Sequence, residues 1–167
     1  ALTTQSWSGT IYVTGAITIA SGQIVTVAPG TQIQIVKGDQ NGDGVVDFRI
    51  AATGRFDIDG TSGSPVSIAA YGAVTSAAFR SITLSGTGTN ASTWRFASVR
   101  DAIDGVTLLG PSTLEDVTVT GSSDDGIVLD NADGATLTRV ASESNANDGL
   151  SIVNGSTGVT IPRQLAR

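Results

Sequence analysis

TLEDVTVTGSSDDGIVLDN (Thr113 to Asn131) is followed by TLTRVASESNANDGLSIVN (Thr136 to Asn154), with equivalent residues at an offset of about 23, a period that marks stacked repeats. Each copy opens on Leu-x-x-Val, passes through a polar stretch to Asp-Gly, continues as an apolar-x-apolar strand and closes on Asn. A shorter third copy precedes them, with Phe96 and Val99 as the Leu-x-x-Val pair and Asp104-Gly105-Val106-Thr107-Leu108 as the Asp-Gly strand. One unit cannot bury its own apolar side chains, so the units are expected to stack. The two apolar residues of Leu-x-x-Val then point inward on either side of a bend at Glu115-Asp116 or Thr138-Arg139. Asn131 and Asn154 are expected one above the other, donating amide hydrogens to a carbonyl of the next turn.

Outward from the repeat, short alternating runs rich in Val, Ile and Thr and bounded by Gly, Asn, Asp or Ser fill the chain from Thr10 to Ile161. That pattern is all-β. Expected strands in the first half are Ile11 to Val13, Ala16 to Ile19, Ile24 to Val27, Ile33 to Val36, Phe48 to Ala51, Arg55 to Ile58, Val66 to Ile68 and Ile82 to Leu84. In the second half they are Trp94 to Phe96, Val106 to Leu108, Val117 to Val119, Ile127 to Leu129, Leu137 to Val140, Leu150 to Ile152 and Val159 to Ile161. A β-sandwich also has short strands, but they do not recur with equivalent residues at a fixed period. The pattern therefore predicts a single parallel β-helix, a solenoid of roughly seven coils and on the order of 35 Å long, over residues 1–167. Its N-terminal coils cover 7–85, with an inserted loop at 38–48, and its regular repeat coils cover 92–161.

Composition narrows the function. Hydrophobic residues make up 40% of the 167-residue chain without a long apolar run, so no membrane span is expected. Net charge is −6 and the nine basic residues are scattered, which argues against nucleic acid as a partner. The sequence has no His and no Cys, which removes the usual general base, thiol nucleophiles and disulfides.

The N-terminal WSGTIYVTGAITIASGQIVTVAPGTQIQIV (Trp7 to Val36) and RFDIDGTSGSPVSIAA (Arg55 to Ala70) resemble bacterial right-handed parallel β-helix domains of the pectate-lyase-like superfamily. The resemblance extends over most of the chain and implies right-handed coiling in a secreted or surface protein. The same fold serves lyases, hydrolases, adhesins and phage fibres, so it constrains function weakly. Pectate-lyase-like members imply calcium with an Arg or Lys base, for which Arg80, Arg95, Arg100 and Arg139 are candidates, but no matching ligand set lies in the repeat region. Polygalacturonase-like members add a His to their carboxylates, and this chain has none.

GDQNGDGVVDF (Gly38 to Phe48) interrupts the strand pattern and spells Asp39-x-Asn41-x-Asp43-Gly44-Val45-x-Asp47, the first nine positions of a calcium loop. Oxygen donors at alternating positions suit a hard cation, Gly44 allows the sharp turn, and Val45 offers its backbone carbonyl. The twelfth position is Ile50 instead of Glu, so water or a carboxylate such as Asp57 or Asp59 would complete the shell. Expected metal ligands are thus Asp39, Asn41, Asp43, Val45 and Asp47, with calcium acting as a clamp.

Asp104, Asp125 and Asp148, thickened by Asp124, form a potential carboxylate ladder of the kind glycoside hydrolysis uses, yet Asp-Gly is also an ordinary turn dipeptide. We expect the turn. Trp7 is expected to cap the core and Trp94 to lie within a strand, while Asn90-Ala91-Ser92 matches a glycosylation sequon. Val159 to Ile161 begins another coil, which suggests continuation or self-association through an open end, with Pro162 and Arg163 blunting the edge. The expected function is a non-catalytic, calcium-stabilised structural or adhesive module of an extracellular or surface-exposed bacterial protein. Alternatives are a polysaccharide-binding or lyase-type domain and a segment of a trimeric fibre or tailspike.

Overall fold

The computed structural model describes residues 4–162. Sixteen strands and one 3-10 turn at Gly88–Asn90 form its regular structure. In chain order they are β1 Gln5–Trp7, β2 Thr10–Val13, β3 Ile17–Ile19, β4 Ile24–Val27, β5 Gln32–Ile35, β6 Ile50–Ala52, β7 Arg55–Asp59 and β8 Val66–Ala70. There follow β9 Ile82–Leu84, β10 Thr93–Arg100, β11 Val106–Leu108, β12 Thr113–Thr120, β13 Ile127–Asp130, β14 Thr136–Thr138, β15 Ala141–Glu143 and β16 Leu150–Val153.

All pairings between these strands are parallel. Parallel neighbours cannot be joined by a tight hairpin, and here the chain passes through two other columns before it returns. The first column runs β1, β4, β7, the first part of β10, the first part of β12, and β14. The second runs β2, β5, β8, the remainder of β10 and of β12, and β15. The third is the separate six-stranded sheet β3, β6, β9, β11, β13, β16. The protein is thus all-β with parallel sheets, an arrangement compatible with a parallel β-helix.

Register lines equivalent residues up along each column. Trp7, Val27, Ile58, Trp94, Leu114 and Leu137 are successive partners in the first column, and every one is buried. Alternation along the strands sends the intervening Thr and Ser outward, so one face of each strand supplies core. Each fully buried large apolar side chain contributes about 1.5–3 kcal/mol relative to exposure. Trp7, Phe56 and Trp94 meet edge to face, with centroids 5.8 and 5.7 Å apart, and Trp94 Nε1 donates to the Phe56 carbonyl at 2.7 Å. Both tryptophans are therefore core residues.

The expected bends occur at Asp116 (φ 53) and Arg139 (φ 50), and the same left-handed turn recurs at Phe96 (φ 47). Their alignment corrects the reading of the third repeat copy. Trp94 pairs with Leu114 and Ala97 with Val117, so its counterpart of Leu-x-x-Val is Trp94-x-x-Ala97, and Phe96 occupies the bend. The stacked asparagines also differ from expectation. Asn131 (φ 50) and Asn154 (φ 51) both adopt the left-handed conformation, but their amides donate to Asp130 Oδ1, at 3.4 and 2.7 Å, instead of to a carbonyl. A carboxylate beside the turn is the stronger acceptor.

At the last strand, Leu150 and Ile152 hold the register positions of Ile127 and Leu129, yet they are 37% and 52% exposed. Of the expected final strand, only a parallel bridge between Thr136 and Thr160 forms, and Arg163 lies outside the described residues.

Candidate functional site: the aspartate loop and the acidic turns

The segment from Gly38 to Phe48 leaves β5 and returns to β6 as an exposed loop. Its closing end is anchored by buried Val46 and Phe48, and the Phe48 ring lies where a side chain on residue 38 would project, so any residue larger than Gly there would have to displace the ring. Asp47 N donates to the Gly38 carbonyl at 2.8 Å and closes the base. Inside the loop the carboxylates fold back onto backbone amides. Asp39 accepts from Gly42 N and Gly44 N at 2.7 and 2.8 Å, and Asp47 Oδ2 accepts from Gln40 N and Asn41 N at 2.7 and 3.3 Å. Asn41 Oδ1 accepts from Asp43 N, and Asp43 Oδ1 from Val45 N, at 3.0 and 2.8 Å. Gly42 (φ 76) and Gly44 (φ 86) supply the left-handed turns that aim these amides inward.

All five expected ligands thus belong to one hydrogen-bonded loop. Among the described residues no three acidic side chains are gathered into a group ready to hold a metal ion. The donor chemistry nevertheless suits a hard cation, because an ionised carboxylate that accepts one or two N–H bonds keeps further lone pairs. Of the two suggested supplementary donors, Asp57 is committed elsewhere. It is buried, pairs with Arg55 Nη2 and accepts from Thr93 N at 3.0 Å. Asp59 is exposed at the end of β7, in register with Arg95.

The Asp-Gly ladder is a set of bends, as expected, but its glycines serve another purpose than left-handed backbone. Gly105 and Gly126 are absent from the positive-φ set. A Cβ on Gly105 would lie 2.5 Å from the Gly126 carbonyl oxygen and closer still to Val119 Cγ1, and one on Gly126 would lie 2.9 Å from the Gly149 oxygen. The glycines let successive turns approach. Asp125 Oδ1 meanwhile accepts from Asn147 Nδ2 and Asp148 N, at 2.9 and 3.0 Å. Asp104 is the perturbed member, its carboxyl pushed above the usual range by burial first and by repulsion from Asp124 second.

Other polar groups weighed from sequence also join turns. Arg139 donates to Asp116 and Glu115 at 2.6–2.7 Å, which holds the Asp116 carboxyl below its usual range. Arg95 Nε stands 3.2 Å from Glu115. Asn90 of the sequon accepts from Gly22 N and donates to Ser21 Oγ, at 3.1 and 3.0 Å, while buried Ser92 accepts from Phe56 N.

One concavity escaped the sequence reading. The long connection 71–81 stands beside the shorter turns 101–105 and 121–126, and the step between them is a groove of about 270 Å³ whose polar lining includes Thr75, Ser76, Asp101 and Ser123. Asp101 is left-handed (φ 68) and accepts from Ala70 N at 3.2 Å. The unequal connection lengths were the available signal.

Comparison of the chain with protein-family models, with curated proteins and with solved structures finds no match. What the strand arrangement supports is an all-β architecture with parallel sheets, compatible with a parallel β-helix.

Proposed function

We propose that the protein is a non-catalytic, calcium-stabilised structural or adhesive module of an extracellular bacterial protein. Its three strand columns read as a right-handed β-helix of six turns with a seventh begun at Thr160. The observation that carries this proposal is how the polar side chains are used: Asp57, Glu115, Asp116, Asp125, Asp130 and Asp133 bind partners in a neighbouring strand or turn. Such bonds fix one turn upon the next. A rigid surface of Thr and Ser between them suits a spacer or an adhesive face.

In this proposal Asp39, Asn41, Asp43, Asp47 and the Val45 carbonyl hold calcium, which clamps the exposed insertion between β5 and β6. An ion bound by the folded chain alone adds stability in proportion to the logarithm of its concentration once sites fill. Thermal unfolding with calcium and with a chelator tests this directly. Calcium is expected to raise the melting temperature of the wild-type chain, and Asp43→Ala is expected to remove most of that rise. A wild-type melting temperature indifferent to chelator would sink the calcium clamp.

A further inference from the structure

Tyr12 on β2 and Tyr71 just beyond β8 are the only tyrosines in the chain. They are 57% and 55% exposed, and their rings meet edge to face with centroids 5.4 Å apart. Between them in the second column lies β5, paired to β2 on one side and β8 on the other, and Tyr71 N donates to the Ile35 carbonyl at 2.9 Å. The backbone thus holds the two phenols together although 59 positions separate them in sequence.

Composition gives this pair a second property. The usual sinks for oxidation are Cys and Met sulfur, and the sequence has neither, nor any His. Both tryptophans are buried, Trp7 at 8% exposure and Trp94 at 0%. The oxidisable side chains open to solvent are therefore Tyr12 and Tyr71, already in contact. Two groups held together react as though at an effective concentration of roughly millimolar or above, so coupling within a chain outpaces coupling between chains at micromolar protein.

We propose that Tyr12 and Tyr71 form an oxidative cross-linking site, joined through their ring carbons ortho to the hydroxyl when a haem peroxidase and hydrogen peroxide supply the oxidant. Each phenol gives up one electron and its hydroxyl proton. The two phenoxyl radicals form a carbon–carbon bond between ortho carbons, and the ring hydrogens move to the phenolic oxygens to restore both aromatic rings. Two hydrogen atoms are lost in all, and they reduce one peroxide to two waters. The product staples β2 to β8 across β5 and closes a long chain segment, which restricts the unfolded ensemble as a disulfide does.

The test is to treat the full chain at micromolar concentration with hydrogen peroxide and a haem peroxidase. Expected products are monomers on a denaturing gel with dityrosine fluorescence, a mass lower by two hydrogens, a tryptic peptide pair joining Tyr12 to Tyr71, and a raised melting temperature. Tyr12→Phe and Tyr71→Phe are each expected to abolish the linked monomer, leaving slow dimer formation. Covalent dimers as the main wild-type product, or absence of dityrosine under conditions that oxidise free tyrosine, would overturn the proposal.

Discussion

Burial and the Asp124 charge raise the Asp104 carboxyl, whereas hydrogen bonds from Arg139 lower Asp116 and those from Thr157 lower Asp133. These shifts act oppositely on stability. Asp116 and Asp133 contribute above the unfolded value of about 3.9, and their contribution is lost as pH falls through their depressed folded values. Asp104 holds its proton longer in the folded chain, so stability declines as pH rises from about 3.9 to its raised folded value, and the deficit persists at neutral pH. Because Asp104 is partly solvated, screening keeps the effect small. Asp104→Asn is expected to raise neutral-pH stability by up to about 0.5 kcal/mol, measured as a denaturation midpoint, with no gain below pH 3. An equal gain at both pH values would show that charge is not the cause.

At the scale of strands and turns, inter-turn distance sets the strictest demand. Gly105→Ala places a methyl against the Gly126 carbonyl and Val119, and overpacking of this kind costs about 1–3 kcal/mol. Urea unfolding of that variant should show the loss, while Gly63→Ala, where a Cβ meets nothing within 4 Å, should show much less. The Asp-Gly recurrence was legible in the sequence, but its purpose was not, because the same dipeptide serves a left-handed turn or a close approach and only spacing between turns decides. The inward residues Leu114 and Val117 were equally legible. Phe96 was misplaced for a related reason: Trp94 and Phe96 share parity along an alternating strand, and a single left-handed residue between two strand segments shifts the phase without leaving a mark in period-two patterning. β15 was missed because Ala141-Ser142-Glu143 offers little apolar alternation, and it is defined by pairing with Thr118 to Thr120.

For the molecule as a whole, parallel strand pairing explains why the chain reads as many short strands and why Asp57, Glu115, Asp116, Asp125, Asp130 and Asp133 bind partners in a neighbouring strand or turn. The calcium-loop spacing at Asp39 to Asp47 could be read directly. Its internal hydrogen bonds could not, since they depend on which way each carboxylate turns, and the same holds for the Tyr12–Tyr71 contact and the groove beside Asp101, both made by residues distant in sequence. The all-β, parallel architecture was the most legible property because repetition encodes it many times over, whereas the loop is written once. The insertion between β5 and β6, Asp39 to Asp47, is proposed to bind calcium. Calorimetric titration of the full chain with calcium tests it most directly: one ion per chain is expected, with a dissociation constant on the order of 10⁻⁴ to 10⁻³ M, as in extracellular modules, and saturable heat lost in Asp39→Ala. Absence of saturable heat from the wild-type chain at millimolar calcium, or binding that survives intact in Asp39→Ala, would contradict it.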